Sequence, residues 1–179
     1  TEFFADAQEV GDVEVDEALI DQGLQMVRQL WEAGLAHRDI KPANLLVRDG
    51  RLLLIDSAFA EIRPSPWRQA VDLGNMMLVL ALRSDVRTVY DRARLRFSDS
   101  EIAEAFAATR GLTMPSQLRR MIREHGRDLH AEFTKLLPQR LPPIRIQRWT
   151  VRRVGLLAGV VVLAVLASQL LVALLRSPL

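Results

Sequence analysis

His37-Arg38-Asp39-Ile40-Lys41-Pro42-Ala43-Asn44, running straight into Leu45-Leu46-Val47-Arg48-Asp49-Gly50-Arg51-Leu52-Leu53-Leu54-Ile55-Asp56, decides the fold. The first eight residues are too polar and too interrupted by proline for a regular element. Beyond them come two apolar runs separated by Asp-Gly, a strong signal for a two-residue hairpin turn. In such a turn Arg48 pairs with Arg51, and the register then sets Asn44 opposite Ile55. Asn44 and Asp56 come to the same open end of the hairpin, one residue step of roughly 3.4 Å apart in register. An amide and a carboxylate placed this way can share one cation. They leave most of a Mg²⁺ octahedron to water and substrate phosphates, as in phosphoryl-transfer sites. Asp39 opens the loop that feeds the hairpin, where it is placed to receive a proton from an incoming hydroxyl.

Upstream, Asp16 can cap a helix whose apolar positions Leu19, Ile20, Leu24, Val27, Leu30 and Trp31 recur at three-to-four spacing and stop near Gly34. Downstream, Asp72 leads the apolar run Met76 to Leu82, and Arg83 closes it, too short a helix to span a membrane and therefore a core helix. Ser98-Asp99-Ser100-Glu101 has capping-box spacing, with Gly111 expected to end that helix; Pro115 suits a first turn, and Gly126 ends the next. Trp31, Phe97, Phe106 and Phe133 read as core. His125 and His130 are five apart across Gly126, off one helix face, which argues against a metal pair.

The loop and hairpin together resemble the catalytic segment of eukaryotic-type protein kinases, with the spacing H-R-D-x-x-x-x-N and a second Asp after the hairpin. The resemblance implies that Asp39 is the catalytic base, that Asn44 and Asp56 hold Mg²⁺ at the phosphates of ATP, and that Lys41 neutralises the transferred phosphate, as in Ser/Thr-directed members. It implies further that Asp72 braces the backbone of the catalytic loop. His37 reads as a loop brace rather than a catalytic group, and for Lys41 a solvated surface lysine is the competing reading. A lone Asp or Asn after a loop is ordinarily a cap or turn residue; here it is the combination of loop, hairpin and second carboxylate that argues for a site.

The departures are as informative. The motif after the hairpin is Asp56-Ser57-Ala58 rather than D-F-G, and the step of sixteen positions from Asp56 to Asp72 leaves no room for a long phosphorylated segment, so Arg38 has no obvious phosphoresidue to meet. That layout looks closest to the compact, atypical Rio-like and Bud32-like kinases. No G-x-G-x-x-G loop and no strand lysine precede His37. The expected organisation is therefore a kinase-like C-lobe over residues 1–137, mainly α with a small β-hairpin, without its N-lobe. On that expectation the 179-residue chain alone binds ATP weakly and transfers nothing.

The C-terminal end carries a different signal. Pro138-Gln139-Arg140-Leu141-Pro142-Pro143 begins a Pro/Arg-rich juxtamembrane linker over 138–153, and Val154 to Leu175 is apolar apart from Ser168 and Gln169, long enough for a transmembrane helix needing roughly 20 residues. Arg145, Arg148, Arg152 and Arg153 precede it and Arg176 alone follows, which predicts a membrane protein with the kinase-like part cytoplasmic, Trp149 at the interface and lipid as a partner.

Composition excludes several classes. With 49% hydrophobic and 26% charged residues the chain is built to fold, and with no cysteine it has neither disulfides nor thiolate metal sites. Lys41 and Lys135 are the sole lysines, so arginine carries nearly all the positive charge, but it is interspersed with acids and the net charge is only +2, which argues against a nucleic-acid partner. Two function classes remain: an ATP-dependent phosphotransferase with a protein or small-molecule hydroxyl acceptor, or a pseudokinase that senses nucleotide for a partner.

Overall fold

The computed structural model describes residues 6–109 and 113–138. The chain divides into two units, Thr1–Ile144 and Arg145–Leu179, and the second lies outside the described residues.

Helix α1, Glu17–Glu32, starts where Asp16 accepts the amide of Leu19 and stops at Gly34, which takes a left-handed φ of 67°. Its apolar face buries Leu19, Ile20, Leu24 and Val27. The hairpin forms in the expected register, strand β3 (Leu45–Arg48) against β4 (Arg51–Leu54), with Leu45 opposite Leu54 and Arg48 opposite Arg51. Asp49 and Gly50 both take positive φ, 50° and 69°, the conformation that matches the turn to the twist of the strands. A two-residue strand β1, Gln8–Glu9, adds to the outer edge of β3, so the hairpin is part of a three-stranded sheet. A second pairing joins β2 (Leu35–Ala36) to β5 (Glu61–Ile62), clasping the chain on either side of the loop and hairpin.

Helix α2, Pro66–Ala81, is the centre of the core. It begins earlier than the sequence pattern suggests, with Ser65 as N-cap and Pro66 in the first turn, so Asp72 lies inside the helix rather than at its head. From Ala70 to Ala81 every residue is buried, because α1, α3 (Val86–Ala93), α4 (Asp99–Ala108) and α6 (Leu129–Leu136) pack around it. Helix α4 carries the full capping box between Ser98 and Glu101 but already ends at Ala108; Gly111 lies outside the described residues. Helix α5, Ser116–His125, has Pro115 as its N-cap and closes at Gly126, φ 74°. Phe97, Phe106 and Phe133 are core, as expected, while Trp31 packs at its margin, edge-on to Phe97 at 5.2 Å.

Gly74 lies on α2 against the C-terminal end of α4. A Cβ there would stand 2.1 Å from Thr109 Oγ1 and 2.8 Å from the carbonyl oxygen of Ala105. Gly74→Ala should therefore destabilise the lobe by about 1–3 kcal/mol, since overpacking against backbone outweighs the roughly 1 kcal/mol gain in helix propensity. A lower urea midpoint with unchanged slope is the expected result; an unchanged or raised midpoint would mean that the two helices separate at no cost.

One expectation is corrected. Among the described residues no helix is long and apolar enough to cross a membrane. The most apolar described helix, α2, has 16 residues, about 24 Å at 1.5 Å per residue, and its apolar surface is met by other helices rather than by lipid. Over the described residues the fold class is thus mainly α with two small sheets, and no helix among them serves as a transmembrane span. The membrane localisation, the cytoplasmic orientation and the lipid partner that rested on that helix are withdrawn. The stretch assigned to it, 154–175, and the linker beyond Pro138 lie outside the described residues.

Candidate active site

The loop from His37 to Asn44 is hung from the core by one carboxylate. Asp72, 1% exposed on α2, accepts the backbone N–H of His37 at 2.5 Å and that of Arg38 at 2.9 Å. Burial pushes its carboxyl up to about 6, against the two amide donors and the Arg38 guanidinium, which favour the charged form. Arg38 is held at φ 69°, a left-handed conformation that a non-glycine residue adopts only where its surroundings fix it. Its guanidinium reaches Glu61 on β5 at 3.3 Å, and Arg68 reaches the same carboxylate oxygen at 2.9 Å. A carboxylate within the fold thus occupies Arg38, for which no anion is legible in the sequence.

His37 is buried and its Nε2 lies 3.1 Å from the carbonyl oxygen of Ile55, joining the start of the loop to the chain that leaves the second strand at the hairpin's open end. Burial pulls its imidazole below the usual histidine range, opposed by that carbonyl and by the negative charges of Asp39 and Asp56. The imidazole is a brace, as expected.

Three of the four expected site residues meet directly. Asp39 Oδ2 receives the Lys41 ammonium at 2.5 Å and the Asn44 side-chain amide at 3.0 Å, and that amide also donates to the Asp39 carbonyl at 2.9 Å. Asn44 ends a 3-10 turn, Pro42–Asn44, and is buried. With its nitrogen spent inside the loop, its amide oxygen is the atom left for a cation. The fourth residue, Asp56, arrives by the hairpin: Ile55 N–H donates to the Asn44 carbonyl at 2.9 Å, the pairing predicted from the turn, and Asp56 comes next at φ 61° with its carboxylate near the Ala58 amide at 3.4 Å. Asp56 therefore comes to the same end of the hairpin as Asn44 without being hydrogen-bonded to the other three.

Among the described residues no group of three or more His, Cys, Asp or Glu side chains is arranged to hold a metal. A cation bound here would have one amide and one carboxylate oxygen from the protein, a hard-oxygen set that suits Mg²⁺ with water and phosphate as its other ligands. His130 is committed to the Phe106 carbonyl at 2.9 Å. Phe59, which follows Ser57-Ala58, is 58% exposed and does not take the place of the missing D-F-G phenylalanine. Two residues that sequence reasoning missed belong to the loop's surroundings: Glu61, which meets Arg38, and Gln117, which accepts the backbone amide of Ala43 at 3.1 Å. Neither carries a local sequence signal, since both act on the loop from distant elements.

No protein-family model matches the chain. The chain is 28% identical over 100 residues to the KEOPS complex subunit Bud32 of Pyrococcus abyssi (strain GE5 / Orsay), a match covering 56% of this chain and 42% of that protein. The chain thus spans about two fifths of the length of the curated relative it matches, and the similarity supports a kinase-like relationship.

Proposed function

We propose that this lobe is the catalytic half of an ATP-dependent phosphotransferase that moves the γ-phosphoryl group to a hydroxyl on a protein or a small molecule. The observation that carries this reading is the cluster at Asp39, where Lys41 and Asn44 converge on one carboxylate oxygen. Because Oδ2 carries both donors, Oδ1 is the atom from which Asp39 accepts the proton of the acceptor hydroxyl. As that hydroxyl oxygen bonds to the γ-phosphorus, the bond from phosphorus to the bridging oxygen breaks and ADP leaves. Such a transfer depends on positioning and charge neutralisation more than on covalent chemistry. Asn44 and Asp56 would hold Mg²⁺, which when bound would supply neutralisation of the phosphate charge. Lys41 serves as a point charge that can leave Asp39 for the transferred phosphate, and its resemblance to the catalytic-loop lysine of Ser/Thr-directed kinases implies a Ser/Thr-type hydroxyl acceptor.

The test is transfer of labelled γ-phosphate from Mg-ATP by the full-length gene product, wild type against Asp56→Ala. Magnesium-dependent label in wild type, at least tenfold lower in the variant, is expected. A second reading, a nucleotide-sensing pseudokinase, is favoured by the exposed Phe59 and the Ser57-Ala58 departure. It becomes the better one if wild type binds ATP with magnesium and transfers no label.

A further inference from the structure

The turn that presents Asn44 has no cap of its own. Lys41, its N-cap residue, makes no side-chain hydrogen bond to it. The first amides of a helical turn have no partner inside it, and here one of them, the N–H of Ala43, is accepted by Gln117 Oε1 at 3.1 Å, from a helix 74 residues further along the chain. The other end of the same amide, Gln117 Nε2, donates to Glu9 Oε2 on β1 at 3.4 Å. Glu9 in turn sits opposite Leu46 on β3, the strand that leaves the turn. Close packing surrounds this link: a Cβ on Gly11 would come within 2.6 Å of Met121 Cε on α5 and 3.4 Å of Pro42 Cβ in the turn.

We propose that Gln117 is a positioning residue for phosphoryl transfer, a cap supplied by α5 that fixes the Pro42–Asn44 turn and through it the amide of Asn44; this rests on the phosphotransferase reading of the site. Only a primary amide serves both partners, because it must accept from Ala43 and donate to the Glu9 carboxylate. A carboxylate at 117 keeps the first bond and repels Glu9. An alkyl chain loses both. The role differs from that of Asp72, which holds the loop's first two amides and not the turn.

The experiment uses the full-length gene product and two readouts. Hydrogen exchange over the peptide 40–45 should speed up on the order of fivefold in Gln117→Leu, the effect of one lost hydrogen bond. In the same variant kcat should fall on the order of tenfold while KM for ATP stays within about twofold, since the turn sets geometry and not nucleotide affinity. Gln117→Glu should lower kcat as well, and Glu9→Gln added to it should restore the rate, because the amide and carboxylate have then changed places. Unchanged exchange in Gln117→Leu, or a double variant no better than Gln117→Glu alone, overturns the proposal. A wild type that transfers no phosphate overturns the phosphotransferase reading instead, and the exchange comparison then still decides whether Gln117 holds the turn.

Discussion

Asp39→Asn should lower γ-phosphate transfer by the full-length gene product on the order of a thousandfold, within the range that a positioned general base contributes, and leave the unfolding midpoint near that of wild type. The substitution keeps the size and one oxygen of the side chain but removes the atom that can take a proton. Little stability should go with it. The Asp39 and Lys41 side chains are 17% and 27% exposed, and the amide introduced by the substitution keeps one oxygen to receive the Lys41 ammonium and the Asn44 amide, so both donors stay partnered. KM for ATP should change little, because Asp39 is assigned to the acceptor and not to the nucleotide. A loss smaller than tenfold, with normal folding, would remove Asp39 from the role of base.

The second large effect concerns stability against pH. Burial raises the Asp72 carboxyl from its ordinary value of 3.8 to about 6. Its contribution to stability is therefore fully present below about 3.8 and lost as pH rises through about 6. Over that window the loss is roughly 3 kcal/mol, at about 1.4 kcal/mol per unit. His37 works with the opposite sign: its lowered value means that its contribution is present above the ordinary histidine range and is lost as pH falls through the folded value. The two partly cancel in wild type. Asp72→Asn separates them, because Asp72 is not among the groups that shift His37. The variant should be less stable than wild type by about 1–3 kcal/mol at neutral pH, since its amide accepts one of the two backbone N–H groups and leaves the other facing a donor. Toward pH 4 the gap should widen by up to about 3 kcal/mol. Urea unfolding of both proteins at several pH values between about 4 and 7 gives the comparison. Parallel curves would mean that the Asp72 carboxyl titrates alike in the folded and unfolded chain.

Much of this lobe is legible in local sequence, and the reason is physical. Asp49-Gly50 fixes a turn by its own φ preferences, the turn fixes the register, and the register fixes which residue shares an end with Asn44. Asp16, Ser98 and Gly126 act within one helical turn of themselves, so their capping roles are readable too. Strands of two residues such as β1 and β5 have no period to detect, and they exist because longer neighbours offer them an edge. The start of α2 is signalled by Ser65-Pro66, but the resemblance draws attention to Asp72, which the helix carries inside its length. The expected C-terminal span rests on apolar length alone, and no helix of that kind occurs among the described residues. Glu61 and Gln117 escape a reading of the sequence, because a side chain reaching another element leaves no mark on the residues around it.

The complete burial of α2 from Ala70 to Ala81 has a consequence in time. A segment enclosed on every side cannot open by itself, so it separates from its neighbours only when the lobe comes apart. The loop at His37 and Arg38 is fastened to that segment through Asp72 and inherits its slow clock. Asp56 stands at an exposed 3-10 turn, Ser57–Phe59, with no such attachment, and exposed turns of this kind open locally at little cost. One wall of the proposed site is therefore expected to keep its shape for the lifetime of the fold, while the wall that carries Asp56 is expected to adjust when a ligand binds.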